Sequence, residues 1–358
     1  MPSSTLAPDA SLISPFRPAW GLAQPDLQTI LPEVLPRPDR RRSPWWRAQQ
    51  RLTLPLSDGD HLLGWLHPLA PHAPGEAPLV IHFHGLGSSA DSGTMRSLSH
   101  KAHLAGFHSL RVNWRGAGGS EDLGTGVTSG VGYADVADVV RHMHEQGHGP
   151  IYLTGFSLGG AIVLNALARL TPTPDVAGAV CISAPLDFAA AAAALREPRN
   201  RFYDARFVWL LKETLRRFVA QGRGGLRHRE ALKHFPAIRH VSDFDHLITA
   251  PAVGLPDAAA YYAAASPGPH LARLTVPTWL ITADDDPFVP LAAQRHALNA
   301  LPEHPTLHVT ITDGGGHVGL VGQRPQPALP WEDHFWLENA TVRRLMAWEQ
   351  ARRSASGA

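Results

Sequence analysis

One cysteine in 358 residues, Cys181, rules out an intramolecular disulfide framework and fits a reducing compartment. Excess charge is equally scarce. The chain carries 32 Lys and Arg against 31 Asp and Glu, so the net charge is +1 and gives no electrostatic case for a nucleic-acid partner. The most apolar stretch, 176–195, is broken by Pro185 and Asp187, which excludes a bilayer span there. The opening residues, MPSSTLAPDASLISPF, lack the charged start and apolar run of a signal peptide. The expectation is a soluble, cytoplasmic protein with no stable membrane insertion. Neither His-Glu-x-x-His nor Cys-x-x-Cys occurs. The 21 histidines, including the neighbours His100, His103 and His108 and the strand-spaced His82 and His84, therefore read as core or solvated residues. No metal and no cofactor is expected.

What is present has the size and composition of a globular protein. Apolar residues make up 44% of the chain, and its length suits one large α/β domain with an insertion, or two domains. Residues 1–50 read as an irregular, proline-rich N-terminal arm. It carries the basic run Arg40-Arg41-Arg42 ahead of Trp45 and Trp46. Packing of this arm on the domain is favoured over a membrane-surface contact. Strands at 51–55 and 61–67 flank the turn Asp58-Gly59-Asp60, which predicts a hairpin. Strands at 79–83, 108–113, 151–154, 179–183, 278–282 and 307–312 then alternate with helices at 92–105, 132–146, 161–170, 291–301 and about 332–351. This alternation predicts an α/β fold, a mostly parallel sheet covered by helices on both faces. The core is expected at 51–185 and 270–352. Residues 186–269 are too long for a plain connection. Helical patterns at 201–218, with Phe202, Val208, Trp209, Leu211, Leu215 and Phe218 apolar, and at 257–265 predict a helical cap over the sheet's C-terminal edge, where ligands bind in open α/β sheets.

The chemistry concentrates at strand ends. Gly155-Phe156-Ser157-Leu158-Gly159-Gly160 lies between a β-rich run and an amphipathic run. The bare Gly-x-Ser-x-Gly pattern is weak, but this context is that of a nucleophile elbow with Ser157 at its apex. Glycines two residues to either side leave room for the adjacent backbone. A serine hydroxyl needs a base, and the base needs an orienting acid. Asp284-Asp285-Asp286 follows the 278–282 strand, and the preferred acid is Asp286, with Pro290 four residues on; Asp285 is the alternative, and helix capping ahead of Leu291 is the non-catalytic role open to the other aspartates. His317 follows the last strand in the glycine-rich loop Asp313-Gly314-Gly315-Gly316-His317 and is the candidate base. The oxyanion donors expected are the N–H groups of Leu158, at a helix start, and of Leu86, in the loop His84-Gly85-Leu86-Gly87-Ser88-Ser89. The loop 113–120, Asn-Trp-Arg-Gly-Ala-Gly-Gly-Ser, lacks a Walker ending and reads as a turn shaping the pocket floor.

These motifs together, with Asn113-Trp114-Arg115-Gly116, Asp285-Asp286-Pro287-Phe288 and Gly315-Gly316-His317-Val318-Gly319, resemble the YheT-like group of α/β-hydrolases. Phe244-Asp245-His246, Ala260-Tyr261-Tyr262 and Ser266 are similar to that group's cap, and Gln28-Thr29-Ile30 to its N-terminal arm. The resemblance runs from about residue 16 to 350. It implies the α/β-hydrolase fold with an eight-stranded sheet and a helical cap. It also implies a serine hydrolase acting on small-molecule carboxylic esters, with Ser157, His317 and Asp286 as its triad. Acyl transfer on the same triad and a catalytically silent ligand-binding homologue are the alternatives. No His-x-x-x-x-Asp acyltransferase signature follows at His317.

Overall fold

The computed structural model describes residues 13–35, 37, 44–170, 176–222, 226–301, 303–326 and 328–357. The basic run Arg40-Arg41-Arg42 lies outside the described residues. Eight strands form one sheet: β1 Gln50–Pro55, β2 His61–His67, β3 Leu79–Phe83, β4 His108–Asn113, β5 Ile151–Phe156, β6 Val176–Ile182, β7 Thr278–Ala283 and β8 Leu307–Thr312. Their spatial order is β1-β2-β4-β3-β5-β6-β7-β8. The β1–β2 and β2–β4 pairs are antiparallel, and every pair from β4 to β8 is parallel.

Side-chain alternation explains how the central strands face two cores at once. Leu79, Ile81 and Phe83 of β3 join Leu153 of β5 in a cluster with Val139, Ile162 and other residues of the helices Tyr133–Glu145 and Leu158–Arg169. Val80 and Tyr152 point the other way, to Leu98 of the Gly93–Leu104 helix and Leu345 and Trp348 of the Trp336–Ser356 helix. The period of two along a fully buried strand thus becomes two separate apolar layers. His82 faces the second layer. Its ring nitrogens sit 2.8 Å from Thr154 Oγ1 and 2.9 Å from Ser109 Oγ, and burial, aided by the nearby Arg111 charge, pushes its pKa down to about 3. It is a neutral core histidine.

Several boundaries move for physical reasons. The helix expected to begin at 161 begins at Leu158, because the turn at Ser157 leads straight into it. The last helix, expected from about 332, begins at Trp336. Glu332 and Asp333 instead accept the N–H groups of Leu329 and Phe335 in turns. The arm is less irregular than expected. Pro25–Val34 is a helix, with the Gln24 side chain capping the Leu27 N–H and Pro25 in the first turn. Trp45 packs on the domain, only 7% exposed and stacked on His67 at 4.0 Å.

Between β6 and β7 the chain rises over the C-terminal edge of the sheet as helices Phe188–Leu195, Arg201–Ala220, Val241–Phe244 and Ala258–Ala265, with a π-helical turn at Asp245–Thr249. Val208, Leu215 and Phe218 of the long helix make a small core with Ile238, Val241 and Phe244. Phe202 and Trp209, grouped with them by sequence pattern, instead face outward, 72% and 51% exposed, with Arg201 and Arg206 over their rings. Among the described residues no helix is long and apolar enough to cross a membrane.

Candidate active site

Ser157 stands between β5 and the Leu158–Arg169 helix with φ 50° and ψ −118°, a conformation costly for any residue with a side chain. Its surroundings hold it there. The Ser157 N–H donates to Ile182 O at 2.7 Å. A Cβ on Gly155 would lie 2.6 Å from Gly159 O, and one on Gly159 would lie 2.5 Å from His84 O. Both glycines are thus close-approach positions, where strand, helix and the neighbouring loop meet without side chains.

Asp286 follows β7. Its Oδ1 accepts the N–H groups of Phe288 and Val289 at 2.8 and 3.0 Å, which leaves Oδ2 to accept from His317 Nδ1 at 2.8 Å. With Nδ1 committed as donor to a carboxylate, the neutral imidazole presents Nε2 as acceptor. Nε2 lies 2.9 Å from Ser157 Oγ. Serine, histidine and aspartate, from three separate strand ends, therefore form one continuous hydrogen-bonded line. Phe288 packs its ring edge-on to the imidazole, with centroids 4.8 Å apart, and Tyr203 and Phe207 of the cap pack on Phe288 in turn.

The other two aspartates do not cap the following helix, as the non-catalytic reading had it; the residue at its N-cap is Pro290. They hold the histidine loop instead. Asp284 Oδ1 accepts from Gly314 N–H, and Asp285 Oδ1 accepts from Gly316 N–H, each at 2.8 Å. Burial raises the Asp285 pKa from its ordinary value against the Gly316 hydrogen bond, with the Asp284 and Asp286 charges adding to the rise. Of the three carboxylates, Asp286 reaches the imidazole and Asp285 reaches only backbone.

The loop after β3 lies against the elbow. A Cβ on Gly85 would be 3.3 Å from the Ser157 Cβ. His84 is buried, and its pKa is pushed down to about 4 by that burial, against a hydrogen bond to Gly85 O. Its Nε2 accepts the Trp114 N–H at 3.3 Å, so Nδ1–H donates to Gly85 O at 2.8 Å. Leu158 is the first residue of its helix, so its N–H has no intrahelical acceptor.

A cavity of about 870 Å³ opens over Ser157 and His317. Its walls come from the arm helix (Ile30, Val34), the loop at Leu86, and the cap (Phe207, Leu210, Phe244). Ala117, Gly118 and Gly119 of the 113–120 loop also line it. Its size and apolar lining suit a drug-sized or acyl-bearing molecule. A second cleft of about 250 Å³, by Pro78, Pro150 and Arg352, lies at the opposite ends of β3 and β5 and has no nucleophile in its lining.

Two neighbours of the site escaped sequence reasoning in this role. Thr29 Oγ1 accepts the His317 N–H at 2.9 Å, and Ser183 Oγ accepts the Val318 N–H at 3.3 Å. The only signal for Thr29 was its place in the Gln28-Thr29-Ile30 motif of the arm.

Residues 78–322 match the model of the alpha/beta hydrolase fold family, and the chain belongs to that family, within its YheT-like group. It is 32% identical over 324 residues to YheT of Escherichia coli (strain K12), covering 89% of this chain and 91% of that protein, whose name gives it an esterase role only provisionally. Human phospholipase ABHD3 is 24% identical over 247 residues, covering 68% of this chain and 59% of its own. Among solved structures, the Pyrococcus furiosus esterase Pf2001 superposes with a TM-score of 0.53 at 14% identity, over 85% of this chain and 92% of that one. That likeness is one of fold.

Proposed function

We propose that the protein is a serine esterase that cleaves carboxylic esters through an acyl-enzyme. Ser157 Oγ attacks the ester carbonyl while His317 Nε2 takes its proton. Asp286 keeps Nδ1 protonated and steadies the imidazolium that forms. The N–H groups of Leu158 and Leu86 receive the negative charge that develops on the carbonyl oxygen. The imidazolium then gives its proton to the leaving alkoxide. In the second half, His317 takes a proton from water, the hydroxide attacks the acyl carbon, and Ser157 leaves with the proton returned. The acyl chain occupies the apolar cavity between arm helix and cap.

One observation carries this reading: the unbroken line from Ser157 Oγ through His317 to Asp286, at 2.9 and 2.8 Å, opening into that cavity. The esterase and phospholipase names of the relatives agree with ester cleavage as the chemistry. Ser157→Ala should abolish turnover of short p-nitrophenyl esters, by roughly 10⁶-fold in kcat, with the melting temperature preserved. A fluorophosphonate probe should label the wild type and not the variant. Turnover undiminished by the substitution would refute the assignment.

A further inference from the structure

His317 sits in a loop with almost no regular structure of its own. Gly314, Gly315, Gly316, Val318 and Leu320 all have positive φ. A backbone of that shape builds no ladder, so its buried N–H and C=O groups need partners from elsewhere. The partners come partly from the arm. Thr29 Oγ1 accepts the His317 N–H at 2.9 Å and donates to Pro25 O at 2.8 Å. Gln28, fully buried, brackets Val321: its Oε1 accepts the Val321 N–H at 2.7 Å, and its Nε2 donates to Val321 O at 3.0 Å and to Leu22 O at 2.6 Å. The Ala19 N–H also donates to Val321 O. The packing is close enough that a side chain on Gly319 would collide with the Gln28 carbonyl, and one on Gly316 with the Pro25 carbonyl.

We infer that Gln28 and Thr29 are positioning residues for the histidine, and that the arm helix is a working part of the site. This rests on the triad reading above. Their hydrogen bonds go to the backbone that carries the imidazole and not to the ring itself. Asp286 constrains the ring through Nδ1 but cannot set how far Nε2 stands from Ser157 if the loop drifts, because a ring hinged on one hydrogen bond can still tilt. Asp284, Asp285 and Ser183 anchor Gly314, Gly316 and Val318 on either side, and Thr29 and Gln28 add the anchors at the His317 N–H itself and at Val321 that remove this freedom. A displacement on the scale of 1 Å costs about 10²-fold in rate.

The test compares Thr29→Val, Gln28→Leu and Thr29→Ser in the full chain. Three readouts are taken: kcat and KM on p-nitrophenyl esters, the second-order rate of fluorophosphonate labelling, and the melting temperature. Thr29→Val should lower kcat and the labelling rate together by about 10- to 100-fold, with KM changed less than about threefold. Thr29→Ser, which keeps the acceptor, should recover most of both. Gln28→Leu should act in the same direction with a lower melting temperature. Wild-type labelling and kcat in Thr29→Val and Gln28→Leu would overturn the inference. So would a loss in Thr29→Val that serine does not rescue, or one that merely tracks the unfolded fraction. A wild type that fails to label at all would remove the triad reading itself, and this inference with it.

Discussion

The serine elbow and the histidine loop meet at one hydrogen bond, yet they are built in opposite ways. The elbow is flanked by core. Gly155, Gly159 and Gly160 are buried, and a Cβ on any of them would lie within 3 Å of a backbone or side-chain atom. Its shape is set mainly by backbone packing: Gly155 on the Gly159 main chain, Gly159 on His84 O, and the Ser157 N–H on Ile182 O. The histidine loop is held by side chains far away in sequence: Thr29, Gln28, Ser183, Asp284 and Asp285. A lesion in the elbow should therefore damage the fold, whereas a lesion in the loop's supports should damage chemistry in a molecule that still folds.

The sharpest test of that contrast is Asp286→Asn. The asparagine oxygen can still accept from Phe288 and Val289, so the melting temperature should hold within a few degrees, while kcat should fall about 10⁴-fold as the imidazole loses its orienting charge. Differential scanning fluorimetry beside ester kinetics checks both. Gly159→Ala addresses the other side. Its Cβ would meet main-chain atoms that cannot swing away, so a loss of about 3 kcal/mol or more in urea unfolding is expected. An unchanged unfolding midpoint would break the comparison. Asp285→Asn should be intermediate, about 10-fold in kcat with little change in KM, because an amide oxygen still accepts from Gly316 N–H but without charge. An effect as large as that of Asp286→Asn would mean that the loop support matters as much as the imidazole partner.

The one expected gain in stability belongs to a carboxyl in the cap. Asp245 accepts from Thr249 Oγ1 at 2.9 Å and Tyr262 Oη at 3.0 Å, and desolvation raises its pKa to about 6. Its folded pKa exceeds the unfolded value of about 4, so the folded state binds the proton more tightly. The stability it lends is present below about pH 4 and is lost as pH rises through 6. Asp245→Asn should flatten that part of the stability curve and raise stability at pH 7, by an amount on the order of 2 kcal/mol. Equal pH dependence in the two proteins, followed by urea unfolding from pH 4 to 7, would mean that Asp245 is not the group responsible.

The same contrast explains what could be read from the sequence. The eight strands and the elbow are local patterns: alternation or continuous apolar runs bounded by turns, and glycines at fixed offsets from Ser157. Each is visible in a window of ten or so residues. Asp286 and His317 were legible as positions after particular strands, because strand order dictates which loops share an edge. The supports were not. Nothing near Thr29 encodes a partner 288 residues away, and the proline-rich composition of the arm hides a helix that begins where Pro25 permits it. The outward turn of Phe202 and Trp209 was hidden for a related reason. An apolar pattern names a helix but not the number of neighbours available to cover its faces, and these two rings stay largely exposed with only an arginine over each.

The contact between Thr29 and His317 also orders events in time. Thr29 leaves the ribosome nearly 300 residues before its partner exists. The central sheet can assemble progressively from β3 onward, but the arm can dock only after β8 has formed and the loop behind it has closed. Contacts of such long sequence separation form late, since the intervening chain must be ordered first. Under the readings proposed above, a copy made only as far as β7 would hold Ser157 in its elbow with no histidine beside it, and one whose arm has not docked would lack the Thr29 contact that holds the His317 backbone.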